Sequence, residues 1–150
     1  MSLQRILPEG VHTSMVRRAF QDLREKVLRH LEHDDLNVQL NDHTGADLVA
    51  GEKATVRVSR RCRITDAVMA SEQVGNLKVD IWVTTVAEWP AADADSICGG
   101  SELQLTAAQI TQNDLSGWST ALEAGDLLTF NVDSCAGIER AMIHLTLELE

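Results

Sequence analysis

The densest group of side chains that could bind a metal ion lies between residues 30 and 43. It contains His30, His33, Asp34, Asp35 and His43, and two imidazoles three residues apart on a helix can reach one ion. A metal site, however, needs three or four such groups to converge in space. Here the two carboxylates follow a predicted helix, where solvated charges are common. We therefore predict no metal site and no cofactor.

A second stretch, Asp93-Ala94-Asp95, resembles the opening of a calcium-binding loop, because alternating carboxylates can surround one hard cation. The glycine and the final acidic residue that complete such a loop are missing. The chain also lacks Gly-x-Ser-x-Gly, His-Glu-x-x-His and a phosphate-binding glycine loop. These observations favour a protein that is not an enzyme and has no catalytic residues.

A group of arginines, Arg57, Arg60, Arg61 and Arg63, could form a positively charged patch. Nucleic-acid binding needs clustered cations, and for single strands aromatic side chains as well. No aromatic residue is interleaved here, and the net charge of the chain is −10. We predict no nucleic-acid partner. Two interpretations of Arg57, Arg60 and Arg61 remain open, which are docking on an acidic neighbouring subunit and a solvated strand edge that discourages aggregation.

The composition indicates a folded, soluble protein. The chain has 150 residues, of which 44% are hydrophobic, and no apolar run long enough to span a membrane. Its first residues lack the pattern of a signal peptide, so we predict synthesis in a cytoplasm and no membrane partner. Three widely spaced cysteines, Cys62, Cys98 and Cys135, fit neither a zinc motif nor a complete disulfide framework. We interpret them as buried apolar residues.

One amphipathic helix is predicted from Thr13 to about His33. Its apolar residues recur at spacings of three and four, which places them on one face: Val16, Phe20, Leu23, Val27 and Leu31. A helix of this length is marginal alone in water. Phe20, Leu23, Val27 and Leu31 are therefore candidates for docking or oligomerisation. The sequence leaves open whether they pack within the chain or between chains.

After the helix the apolar period changes to two, which is typical of half-buried strands. The strand candidates are separated by Gly, Asp, Asn and Ser clusters: 36–40, 54–58, 62–70, 77–86, 102–106, 127–133 and 138–149. Strands that do not alternate with helices favour an antiparallel sheet. We predict a mainly β protein, an antiparallel jelly-roll-like β-sandwich preceded by one N-terminal amphipathic helix. Residues 1–50 would form a docking and oligomerisation segment, and residues 51–150 the β domain.

The C-terminal half, from Leu77 to Leu149, resembles a jelly-roll-like domain of tailed-phage and prophage virion proteins. The resemblance rests on five stretches in this order: Val79-Asp-Ile-Trp82, Ala92-Asp-Ala-Asp-Ser-Ile97, Ser116-Gly-Trp-Ser-Thr-Ala-Leu-Glu-Ala-Gly-Asp126, Phe130-Asn-Val-Asp-Ser134 and Ile138-Glu-Arg140. It implies a structural protein of the virion, assembled in the host cytoplasm with other capsid or tail subunits, and by analogy a homotrimer.

Four aromatic side chains of this half are candidates for core anchors or for a receptor-binding platform: Trp82, Trp89, Trp118 and Phe130. Phe130 and Val132 alternate with Asn131 and Asp133, which predicts one inward face. Three functions follow. The first is a capsid decoration or cement protein. The second is a tail or head fibre module that binds a host receptor or surface glycan. The third, least supported, is a small enzyme acting on cell-wall or sugar substrates.

Overall fold

The computed structural model describes residues 13–150, except for the side chains of Thr13 and of residues 29–32. The chain divides into two compact units, of which the first ends at His33 and the second extends from Asp34 to Glu150. One helix precedes a curled antiparallel sheet, so the predicted fold class, a mainly β sandwich after one helix, is confirmed. The strand at residues 36–40, which the sequence grouped with the helix, lies in the second unit.

The helix, α1, extends over Thr13–Glu32, as the apolar spacing predicted. Straight-chain residues and alanine dominate its sequence, and it contains neither glycine nor proline, so its intrinsic propensity is favourable. No helix in residues 13–150 is both long and apolar enough to cross a membrane.

Seven strands make up the second unit, and the first of them begins one residue before it, at His33. Their bounds are β1 His33–Asn41, β2 Gly51–Arg57, β3 Cys62–Thr84, β4 Leu103–Gln112, β5 Ala121–Leu122, β6 Leu127–Ala136 and β7 Arg140–Leu149. The main order across the sheet is β1-β7-β3-β6-β2, and β4 and β5 also pair with β3. The register determined for β2, β3, β4, β5, β6 and β7 is antiparallel throughout.

The central strand β3 joins the two halves of the sheet. Residues 62–70 pair with β7, and residues 76–84 pair with β6. The sequence predicted two strands here, but the chain continues through the intervening residues as one long, bent strand. At Gly75 the segment around Ala136 and Ile138 passes close to β3, because a Cβ atom there would lie 2.7 Å from both the Ala136 carbonyl oxygen and Ile138 Cγ1. Only glycine lets the two chain segments approach so closely.

The core lies between the inward faces of the two halves of the curled sheet. Its largest fully buried side chains include Phe130, Ile81, Leu105 and Ile143, which come from β6, β3, β4 and β7. Phe130 and Val132 are buried whereas Asp133 is exposed, so the predicted alternation of β6 is confirmed.

The prediction that the cysteines are buried is confirmed for two of the three. Cys62 and Cys98 are buried free thiols, and Cys135 is half-buried. Burial raises the pKa of all three thiols, which keeps them protonated at neutral pH.

Candidate functional site

The first candidate surface is the apolar side of α1, which we call the helix face and define by Val16, Phe20, Leu23 and Val27. Phe20, Leu23 and Val27 are 53%, 57% and 48% exposed, and Val16 is half-buried. The fifth predicted member, Leu31, has its side chain outside the described residues. Monomeric soluble proteins rarely leave such a row of large apolar side chains in water, so exposed rows of this kind mark interaction sites.

The charged side chains of α1 are not distributed evenly around the helix. At 100° per residue, Arg17 and Arg24 border one side of the helix face and Lys26 lies on the other side. The opposite side of the helix carries charges of both signs, the acidic Asp22 and Glu25 together with Arg18. The helix face is therefore a hydrophobic strip with cationic margins.

The predicted arginine patch lies where β2 ends and β3 begins. Arg57, Arg60 and Arg61 are all exposed. Arg61 pairs with acids of its own chain, because its Nε lies 3.2 Å from Glu150 Oε2 and 3.6 Å from Glu123 Oε1. Such exposed pairs contribute about 0–1 kcal/mol each. They lower the positive charge that this edge offers to an acidic partner.

The four aromatic candidates separate into a buried group and an exposed residue. Phe130 is fully buried, and Trp82 and Trp118 are each 8% exposed. Both buried indoles satisfy their N–H groups, since Trp82 Nε1 donates to Asp80 Oδ2 and Trp118 Nε1 donates to the Ser101 carbonyl oxygen, each at 2.8 Å. Trp89, between β3 and β4, is 43% exposed. Of these four rings, only Trp89 is available to a ligand at the surface.

The second unit contains a carboxylate cluster that the sequence did not reveal. It consists of Asp80, Glu102 and Asp133, and one ligand oxygen from each lies within 4.8 Å of the others. Strand register brings the three together. Val79 pairs with Leu103, which places the preceding Glu102 opposite Asp80. The β3–β6 pairing shifts between Lys78 and Val79, so Asp133 is an extra, bulged residue that turns toward the same place.

Asp80 is the structural centre of this cluster. It is 2% exposed and accepts three hydrogen bonds, from the Ile81 backbone N–H at 2.8 Å, Trp82 Nε1 at 2.8 Å and Ser96 Oγ at 2.7 Å. Ser96 Oγ in turn accepts the Cys98 backbone N–H at 3.2 Å. Asp80 therefore connects β3 to the segment around Ser96. A buried carboxylate needs such donors to compensate its lost hydration.

The other two carboxylates are partly compensated. Lys78 Nζ lies 3.2 Å from Glu102 Oε2, and this bond raises the pKa of the lysine. Although Asp133 is an exposed residue, partial desolvation of its carboxyl group, to which the Asp80 and Glu102 charges add, raises its pKa against the opposing hydrogen bond from Asn131. Oxygen ligands of this type suit Ca²⁺ or Mg²⁺. Because both Asp80 oxygens already accept hydrogen bonds, the arrangement is first of all a structural network.

The metal candidates from the sequence do not converge. Asp35 Oδ1 lies 3.3 Å from His144 Nε2, and the His43 backbone N–H donates to Asn41 Oδ1 in a turn. Asp95 Oδ2 accepts the Ala92 N–H at 2.8 Å and so closes a single 3₁₀ turn. The side chain of His30 lies outside the described residues. Among the described side chains, only the carboxylate cluster brings three potential ligands together.

Comparison with known proteins adds no identification. No family model, curated protein or solved structure matches this chain.

Proposed function

We propose that this chain is a non-enzymatic structural subunit of a larger particle, which it joins through the helix face while the β unit forms a preformed outer module. The observation that carries the proposal is the row of half-exposed large apolar side chains on α1, in a chain whose β unit has its own core. The resemblance of residues 77–149 supports a tailed-phage virion as that particle, with a capsid decoration or cement role as the first choice.

The α1 helix has little stability of its own. A helix of 20 residues forms only marginally in water when nothing packs on its apolar side. Burial of each large apolar side chain would contribute about 1.5–3 kcal/mol. The α1 helix would therefore be stabilised mainly by docking of its helix face on a partner. The β unit, in contrast, buries most of its large apolar side chains within the same chain.

Particle analysis tests this proposal. Virions purified on a density gradient from the strain that encodes the chain should contain it in stoichiometric amounts. Virions produced with the Phe20→Ser/Leu23→Ser variant should lack it, whereas the matched Arg18→Ser/Asp22→Ser variant, altered on the other side of α1, should be incorporated. Absence of the wild-type chain from the particles, or equal incorporation of both variants, would refute the proposal.

Trp89 favours a second candidate, a module that binds a host receptor or surface glycan. This ring and Val86 are 43% and 66% exposed in the same connection between β3 and β4. An exposed indole can stack on a sugar ring and leave its N–H available for hydrogen bonding. A glycan array with the wild-type protein and Trp89→Ala tests the candidate. Binding that disappears in the variant without loss of thermal stability would support it.

A further inference from the structure

We propose that the helix face is occupied by the same face of further copies of this chain, arranged as a parallel bundle of α1 helices. This inference rests on the proposed function, in which α1 is the assembly element, and specifies the partner. Two observations carry it, the spacing of the apolar residues and the positions of the cations beside them, and the charge of the β unit predicts how it responds to salt.

The apolar spacing of α1 is that of a heptad repeat. Val16, Phe20, Leu23 and Val27 follow one another at intervals of four, three and four residues. Phe20 and Val27 then occupy a positions, and Val16 and Leu23 occupy d positions. This alternation of four and three residues forms an a and d seam, which is typical of helices that pack on one another. Met15 and Leu28, which are 65% and 41% exposed, lie outside the seam.

The cations beside the seam distinguish parallel from antiparallel packing. Arg17 and Arg24 occupy e positions, and Ala19 and Lys26 occupy g positions. In a parallel bundle e faces g of the neighbour, so Arg24 faces Ala19 and its methylene stem can cover the seam. In an antiparallel bundle e faces e, which would bring Arg17 and Arg24 of neighbouring helices together. The charge pattern therefore favours the parallel arrangement.

The charge of the β unit predicts how salt affects the assembly. Residues 34–150 contain 19 acidic and 7 basic side chains. In a parallel bundle the β units are attached at the same end of the helices, and their like charges repel one another. Added salt screens this repulsion, so self-association should strengthen as salt rises. Docking of the cationic margins on an acidic protein groove or an anionic membrane would weaken as salt rises.

A cysteine-scanning experiment on the full chain tests the arrangement. Cys135 is first replaced by serine, because Cys62 and Cys98 are buried and Cys135 is the most accessible native thiol. In that background Val16→Cys places a thiol at the N-terminal end of the seam, and Arg18→Cys places one on the outer side as a matched control. Under mild oxidation Val16→Cys should form disulfide-linked chains, and Arg18→Cys should not. Antiparallel helices would hold two Val16 positions far apart.

Light scattering supplies the second readout. The molar mass of the wild-type protein should be two or three times the 16.5 kDa of one chain, and the associated fraction should increase at high salt. The Phe20→Ser/Leu23→Ser variant should have the molar mass of a single chain. A wild-type monomer at sub-millimolar concentration, or equal cross-linking of both cysteine variants, would overturn the inference. So would a monomer that binds phosphatidylglycerol vesicles through Phe20 and Leu23. A monomer that still enters virions through the helix face would refute self-association and leave the proposed function intact. A protein that forms the bundle but is absent from virions would refute the proposed function and leave self-association intact.

Discussion

The two phenylalanines of this chain occupy opposite environments. Phe20, on α1, is 53% exposed, whereas Phe130, on β6, is fully buried among residues of the curled sheet. The β unit thus obtains its stability from contacts within one chain. The helix presents equivalent side chains to water and depends on contacts outside itself. The comparison shows that a side-chain type alone does not determine its role, because the same ring anchors a core in one unit and offers a contact in the other.

The largest expected difference is between two single variants, in which one or the other phenylalanine is replaced by alanine. Phe130→Ala removes a fully buried ring and should lower the free energy of unfolding by about 3–5 kcal/mol. That is a large fraction of the stability of an ordinary domain. Phe20→Ala should change the unfolding of the β unit by less than about 0.5 kcal/mol. Urea unfolding followed by tryptophan fluorescence measures both. Equal losses would show that the helix contributes to the core of the β unit.

Within the β unit, buried Trp118 and exposed Trp89 allow the same comparison, with a smaller expected difference in stability. Trp118→Ala should destabilise by about 3 kcal/mol, chiefly through lost packing. The Ser101 carbonyl oxygen would keep a donor, because Asn113 Nδ2 also reaches it at 2.9 Å. Trp89→Ala, at an exposed ring, should change the melting temperature little. If thermal melts showed Trp118→Ala to be as stable as Trp89→Ala, the interpretation of Trp118 as a core anchor would be wrong.

A smaller, pH-dependent effect is expected at the carboxylate cluster. Because burial and the neighbouring charges raise the pKa of Asp133, the fold favours its protonated form. The stabilisation from that proton is complete below the ordinary pKa of 3.8 and is lost as pH rises through the raised value. Asp133→Asn, which stays neutral and keeps the acceptor for Asn131, should therefore melt higher than wild type at pH 7. The difference should vanish at about pH 3.

Asp114 provides the matched control of opposite sign. Hydrogen bonds from the Ser116 backbone N–H and Oγ lower its pKa, so its stabilising charge is present above the ordinary value and lost as pH falls. Asp114→Asn should melt slightly lower than wild type at pH 7 and approach it in acid. Two variants with shifts of the same sign at pH 7 would contradict this description of the cluster.

The smallest expected effect is that of divalent cations. Asp80 already accepts three hydrogen bonds and Glu102 already binds Lys78, so removal of cations with EDTA should leave the melting temperature unchanged. Added CaCl₂ should also have no effect. A rise of several degrees with CaCl₂ that Asp133→Asn abolishes would instead identify the cluster as a cation site.

The sequence predicted what depends on local periodicity. The three-and-four spacing of Val16, Phe20, Leu23 and Val27 placed α1 correctly, and alternation along β6 identified Phe130 and Val132 as inward residues. It did not predict β5, which is a two-residue strand, or the continuity of β3 through Gly75. Both depend on partners distant in the chain, so no local pattern marks them.

The carboxylate cluster likewise could not be predicted from local sequence patterns. Asp80, Glu102 and Asp133 lie on different segments, and each looks like an ordinary polar residue in its own stretch of sequence. Their proximity results from the register of β3 with β4 and from the bulge at Asp133. A one-residue change in either register would separate them, and register is set by the whole sheet.

The position of β3 in the sheet also determines when this protein can fold during synthesis. Cys62–Thr84 leaves the ribosome before β4, β5, β6 and β7, the four strands with which it pairs. Long-range strand pairing is slow, and an unpaired strand edge is prone to aggregation. Limited proteolysis of ribosome-bound chains should therefore detect the protected β unit only after Arg140–Leu149 has emerged. Until then the 23 residues of β3 lack their pairing partners and are exposed to pairing with strands of other chains.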